Sequence, residues 1–218
     1  MSIGLLFVVE MHGSLDDWSG KVAVACPELQ TLQTLWVFGY GSLMWKQGFS
    51  FVEKRVCCLK GYKRRFWQAS TDHRGTPKFP GRVVTLVPDE KCSTWGCAFR
   101  IHKNDRQEVI KYLDKREKGG YSQRIVAAYN KQGKEVAKVL VYIGTNDNKA
   151  YVHEPKDENT AQIIAKAVGP SGRNVDYLRK LAHALKENDV IDDDPHVKSL
   201  MDLVADYEKS NHREEKVP

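Results

Sequence analysis

The chain has 218 residues, 41% of them apolar and 28% charged, with a formal net charge of +6. That composition excludes a disordered or fibrous chain and allows one sizeable domain or two small ones. The excess of base favours an anionic ligand, although solvated lysines alone also produce it.

The longest apolar run, residues 3–9, falls far short of the roughly 20 residues that a spanning helix needs. No Lys or Arg precedes it and Glu10 closes it, so it does not read as a signal peptide. A cytoplasmic protein with no membrane partner is expected. Residues 1–35 lack a period and include the turn-like HGSLDDWSG. They read as an extension of uncertain structure.

From Trp36 the pattern is regular. Runs rich in Val, Ile, Phe, Tyr and Trp predict strands over 36–40, 61–68, 82–87, 95–101, 124–129 and 136–144. NKQG between the last two predicts a hairpin. A first helix is expected to start at Asn104 as N-cap, with Gln107 completing a capping box. Val109, Ile110 and Leu113 form its apolar stripe and Gly119-Gly120 stop it. A second helix covers about 158–168 and ends at Gly169-Pro170. A third runs from Asn174 to Glu187, with Leu178, Leu181, Ala182 and Leu185 at helical spacing. A fourth starts at Asp194-Pro195, a cap with proline at the first helical position, and carries Val197, Leu200, Met201 and Val204. The charged tail, 209–218, reads as disordered. With no internal repeat and no linker inside 36–208, strands mostly first and helices after, the class is α+β around one core.

The five cysteines, Cys26, Cys57, Cys58, Cys92 and Cys97, are odd in number, include an adjacent pair and form no C-x-x-C. They predict reduced, mostly buried thiols rather than a disulfide framework or a zinc site. The seven histidines include no H-x-x-x-H pair, so no metal is expected. The acidic run 192–194 lacks the glycine and spacing of a calcium loop and reads as a helix entry.

Four stretches could carry chemistry. In FGYGSLMW, position 44 is methionine where a dinucleotide fingerprint needs glycine, and the lysine of a phosphate-binding loop is absent. A strand ending in small residues is compatible with an anion-binding backbone loop or with a plain turn. In LDKREKGGY, Glu117 is either a solvated charge among Lys115, Arg116 and Lys118 or a rim carboxylate. Leu113, four residues earlier, shares its face, and a half-buried carboxylate can hold a raised pKa and act as a base. Residues 64–82 interleave bases and aromatics, which permits a nucleic-acid surface. Their second half is a loop from which Arg74 or Arg82 could clamp a carboxylate. GPSGRNVDYL is compatible with an anion loop at a helix N-terminus or with a turn between helices.

Taken together and in this order, VFGYGSLMWK, RRFWQASTDHRGTPKFPGRVVTLV, YLDKREKGGY, VYIGT and GPSGRN resemble the ChaC-like γ-glutamylcyclotransferases over about residues 36–207. The resemblance implies a domain over 36–208 built as a small mixed β-barrel flanked by helices. It implies cleavage of glutathione to 5-oxoproline and cysteinylglycine, without cofactor or metal. It implies that Tyr40, Gly41, Ser42 and Leu43 bind the γ-glutamyl group and that Glu117 is the catalytic acid–base.

The chemistry asks for little more. The substrate's own α-amine attacks its γ-carbonyl, and well-oriented intramolecular attack is worth effective molarities of roughly 10⁵–10⁸ M. The backbone of 37–42, including Val37, Phe38 and Gly39, is assigned to holding the glutamyl chain and the oxyanion. Arg74, Tyr121 and Tyr142 are expected near the substrate from their place beside the matched motifs. Glutathione, with two carboxylates and one ammonium, suits a basic protein. Two other readings remain: a cyclotransferase for other γ-glutamyl amines or amino acids, and a non-catalytic module binding RNA or a protein through 60–74. No nucleic-acid partner is expected on the first reading.

Overall fold

A computed structural model describes residues 27–117 and 120–214. Most of the N-terminal extension, and Lys118, Gly119 and the last four residues of the tail, lie outside the described residues.

Five strands close into a barrel in the order β1-β3-β2-β4-β5. They are β1 (Trp36–Gly39), β2 (Glu53–Ser70), β3 (Gly81–Arg100), β4 (Tyr121–Tyr129) and β5 (Glu135–Gly144). All neighbours are antiparallel except β1 and β5, which meet in parallel at Val37 and Leu140. The mixed barrel is the expected class. β1 is short, central and apolar, so it is buried along its whole length, as a strand paired on both sides requires.

β2 and β3 are longer than the sequence pattern suggests. The runs expected at 82–87 and 95–101 are parts of one strand, and the run at 61–68 starts eight residues earlier. The polar stretch around Pro88 and Asp89 masked the continuity. It keeps its pairing, Tyr62 opposite Pro88, and Lys63 bonds Asp89 at 3.1 Å on the outer face. Backbone pairing does not require an apolar outer face. A register shift between Lys60 and Tyr62 bends the long hairpin, and Gly61 sits there at φ +81°, the left-handed geometry that a bulge assigns to glycine. The predicted NKQG hairpin is present. Asn130 closes it by accepting from the amides of Gln132 and Lys134 at 3.1 and 2.9 Å.

Helices flank the barrel: α1 (Pro27–Thr31), α2 (Arg106–Arg116), α3 (Asp157–Lys166), α4 (Asn174–Glu187) and α5 (Pro195–Glu214). α1 lies inside the stretch read as an uncertain extension. Leu29 and Leu35 are buried, and Arg106 donates to the carbonyls of Leu29 and Leu32. The capping box expected at Asn104 does not form. A 3₁₀ turn, Lys103–Asp105, precedes α2, and His102 caps it by accepting the Asn104 amide at 3.3 Å. α3 stops at Lys166 because the chain enters a two-residue hairpin, β6 (Val168–Gly169) with β7 (Gly172–Arg173). The Asp194 cap is as expected: its carboxylate accepts from the Val197 amide at 3.0 Å. α5 continues past Lys209, where the tail was expected to begin, to Glu214. Lys209 pairs with Asp206 at 3.2 Å and Ser210 donates to the Asp206 carbonyl at 2.9 Å, both within the helix.

The core joins the barrel interior to the helices through Val37, Phe38, Phe66, Leu86, Phe99 and Leu140 on one side and Ile164, Leu178, Leu181 and Leu200 on the other. Cys57, Cys58 and Cys97 are buried and free, and burial pushes the Cys57 thiol up to about 12. Among the described residues no helix is long and apolar enough to cross a membrane.

Candidate active site

β1 delivers the glycine loop. After Gly39 the chain folds into a 3₁₀ turn, Ser42–Met44, with Met44 donating to the Gly41 carbonyl at 2.9 Å and Lys46 to the Ser42 carbonyl at 2.8 Å. The packing itself demands both glycines. A Cβ on Gly39 would lie 2.8 Å from the Cβ of Leu43, and one on Gly41 would lie 2.8 Å from the Tyr177 hydroxyl and from Cγ2 of Val84. Real Cβ contacts are not that short, so Gly39 makes room for the loop itself and Gly41 for Tyr177 and Val84.

The loop is held from behind. The buried Arg64 donates through Nε to the Tyr40 carbonyl at 2.9 Å, and its other nitrogens reach Asp194 and the Trp95 carbonyl. The Tyr40 hydroxyl donates to the Tyr142 carbonyl at 2.7 Å. Tyr177 of α4 packs edge-on between Trp45 and Phe66, with ring centroids 5.3 and 5.9 Å away.

The other wall is the end of α2. Glu117 caps it, donating its amide to the Leu113 carbonyl at 2.8 Å. Leu113 is fully buried and the Glu117 side chain is 18% exposed. Four tyrosines, Tyr40, Tyr121, Tyr142 and Tyr177, stand close enough that the Glu117 charge helps to raise their hydroxyl pKa values, after the larger effect of burial. Loss of water also raises the Glu117 carboxyl, and the Arg116 guanidinium at 3.4 Å acts against that. The carboxyl end of a helix opposes negative charge in the same sense as burial. Beside it, the Tyr142 hydroxyl donates to Asp114 at 2.7 Å, and Gln123 donates to Asp114 at 2.6 Å and to the Tyr142 hydroxyl at 3.2 Å. A carboxylate with a raised pKa, within electrostatic reach of four tyrosines and joined through Arg116 to a tight backbone turn, suits proton transfer on a small polar substrate.

Comparison with known proteins bears on what that substrate is. The family model described as ChaC-like protein matches residues 35–207. The chain belongs to the ChaC-like family. A Danio rerio relative, glutathione-specific γ-glutamylcyclotransferase 1, is 42% identical over 170 residues, covering 77% of this chain and 87% of that one. A Saccharomyces cerevisiae relative, glutathione-specific γ-glutamylcyclotransferase, is 34% identical and covered over 97% of its length, against 79% of this chain. The selenomethionine crystal structure of the yeast cyclotransferase specific to glutathione matches with a TM-score of 0.75, at 34% identity, over 80% of this chain and 96% of that one. The ChaC-like barrel is therefore the fold of this chain.

Within this ChaC-like frame the expected residues separate into groups. Tyr40, Tyr121 and Tyr142 stand within electrostatic reach of Glu117, and Arg116 joins Ser42 to it. Leu43 is buried beside Gly39. The side chains of Val37 and Phe38 are buried, with 0% and 1% exposure, and their strand is paired with β3 and β5. The Arg74 guanidinium donates to the Arg173 carbonyl at 3.1 Å. Arg82 folds back on the Pro80 and Gly81 carbonyls at 3.3 and 3.1 Å, and burial lowers its pKa.

The 169–173 stretch is a hairpin docked on the 70–81 loop. The Ser171 amide donates to the His73 carbonyl and the Asn174 amide to the Ala167 carbonyl, both at 2.9 Å. Both amides serve the protein's own structure, as a turn in GPSGRN requires. Asn174, fully buried, pins α4 to β3 by accepting from the Arg82 amide at 2.6 Å and donating to its carbonyl at 2.8 Å.

Sequence reasoning missed Arg64, Asp114, Gln123 and Tyr177, and grouped Arg116 with the solvated charges. No spacing marks Tyr177. Its helical stripe was visible, but its approach to Gly41 depends on how α4 packs on the barrel.

Proposed function

We propose that the protein is a γ-glutamylcyclotransferase that converts glutathione to 5-oxoproline and cysteinylglycine, with Glu117 as general acid–base. The observation that carries this is the desolvated Glu117 carboxylate, within electrostatic reach of Tyr40, Tyr121, Tyr142 and Tyr177 and joined through Arg116 to Ser42 of the 39–44 turn. The printed specificity of the Danio and yeast relatives supports glutathione as the substrate.

The α-nitrogen forms a bond to the γ-carbon, the carbonyl oxygen becomes an oxyanion, and the bond from that carbon to the cysteinyl nitrogen breaks. The α-ammonium loses two protons in becoming a ring amide, and the departing nitrogen gains two in becoming an ammonium. The reaction therefore consumes no water, and one carboxylate can relay the protons. The first turn of a helix leaves its N–H groups without intrahelical partners, so the amides of Ser42 and Leu43 are the natural donors to the oxyanion or the α-carboxylate. Tyr40, Tyr121 and Tyr142 hold the glutamyl chain in its folded form, and Gly39 and Gly41 let the turn come close.

Two further points go with this reading. Free buried thiols suit the reducing cytoplasm, where glutathione keeps cysteines reduced. A nucleic-acid surface on 60–74 is disfavoured because Arg64, Phe66 and Trp67 are buried. Release of 5-oxoproline from glutathione, γ-glutamyl-alanine and γ-glutamyl-lysine tests the proposal, with the Glu117→Gln protein run beside the parent. Turnover confined to the other two compounds would reassign the substrate, and full turnover by folded Glu117→Gln would remove Glu117 from the mechanism.

A further inference from the structure

Arg116 is the most heavily used side chain at the site. Its Nη1 reaches the carbonyls of Lys46 and Gln47 at 2.7 and 2.9 Å and the Tyr112 hydroxyl at 3.3 Å. Nη2 donates to the Ser42 hydroxyl at 2.7 Å, and Nε lies 3.4 Å from a Glu117 oxygen. The side chain is only 17% exposed. One planar group thus touches the start of the 3₁₀ turn, the chain leaving it, and the carboxylate on the opposite wall. Phe49, after the turn, also packs edge-on against Tyr112 of α2 with ring centroids 6.4 Å apart, but Arg116 is the group that reaches both Ser42 and Glu117, whose relative placement sets the distance from base to substrate.

We propose that Arg116 is the positioning residue of this site: a single guanidinium fixes the Glu117 carboxylate and the Ser42 turn against each other. The fork geometry is what the task requires. A lysine ammonium is a point donor and cannot span the paired carbonyls and the hydroxyl while staying beside the carboxylate. The same contact gives Arg116 an electrostatic duty. Glu117 is faced by Arg116 from its own helix and by Tyr40, Tyr121, Tyr142 and Tyr177 from the turn, β4, β5 and α4. Arg116 is the cation in that set. Without it, burial acts unopposed and the carboxylate takes up its proton at higher pH.

The inference rests on Glu117 being the base, and the test separates the two. Arg116→Met, Arg116→Lys and Glu117→Gln are compared with the parent for 5-oxoproline release from glutathione across pH, with kcat and KM resolved and thermal unfolding recorded. Arg116→Met is expected to lose about a hundredfold in kcat, as misplacement of a catalytic group by about 1 Å does, and to move the acidic limb of its rate profile to higher pH. Arg116→Lys keeps the charge, so its limb stays near the parent's, while KM rises several-fold because the turn is no longer clamped. A folded Arg116→Met protein with the parent's kcat and acidic limb overturns the inference, and if Glu117→Gln is then inactive the base assignment survives alone. If Arg116→Met does not fold, a folded Arg116→Lys protein with the parent's kcat and KM overturns it instead. Turnover in Glu117→Gln removes the base and with it any role for Arg116 in placing it.

Discussion

Moving the Glu117 carboxylate out of water costs its charged form more than its neutral one, and the four neighbouring tyrosines supply shape without supplying a countercharge. The carboxyl is raised by burial and partly restrained by Arg116. The sign of the pH dependence follows. Below its pKa Glu117 is protonated and cannot accept from the substrate ammonium, so kcat/KM falls on the acid side. That limb should lie above the ordinary glutamate value of about 4.3; a pH–rate profile with its limb at the ordinary value would contradict the assignment. Glu117→Gln should lose about 10²–10⁴-fold in kcat with an unfolding temperature no lower than the parent's, since the change removes a charge that burial already disfavours. The sequence showed the residue and its spacing from Leu113. The motifs pointed to Tyr40, Tyr121 and Tyr142 as well, but not to Tyr177, because its approach depends on how α4 packs.

At the scale of elements, two glycines make a useful contrast. Gly41 is needed for space: its substitution by alanine drives a Cβ against Tyr177 and Val84 at 2.8 Å. Overpacking of this kind costs about 1–3 kcal/mol, and because the turn must move, KM for glutathione should rise as well. Gly61 is needed for conformation alone. It has φ +81° and nothing within 4 Å of an added Cβ, so Gly61→Ala should cost about 1 kcal/mol and leave kcat and KM as they are. Urea unfolding with parallel kinetics would distinguish the two, and a kinetic defect in Gly61→Ala would show that the bulge reaches the site. Both glycines were visible in the sequence, and so were the turn and the strand they serve. What stayed hidden was the full length of β2 and β3, since charged residues on an outward face look like a loop when the partner strand is unseen.

At the scale of the molecule, the buried Arg64–Asp194 pair ties the barrel to the helical layer. Arg64 carries the Tyr40 carbonyl on one side, and Asp194 caps α5 on the other. Removing one member strands a buried charge, which typically costs about 3–5 kcal/mol. Arg64→Met and Asp194→Asn should each destabilise strongly, and the double variant should cost less than the two added together. Additive costs in denaturant unfolding would show that the two ions are not coupled. Loss of Arg64 should also weaken glutathione binding in whatever fraction stays folded, because the Tyr40 carbonyl loses its anchor.

Periodicity and turn chemistry are local, and they sufficed for the strand and helix types, the α+β class, the cap at Asp194-Pro195 and the hairpin at NKQG. The ordered motifs sufficed for the family. Closure of the barrel decided the rest. It brought Arg116 to Ser42 across 74 residues and Arg64 to Asp194 across 130, and set α4 so that Tyr177 stands over Gly41. Contacts at such separations leave no period in the chain. They depend on which strands meet and at what register, and that is settled only when the whole core packs.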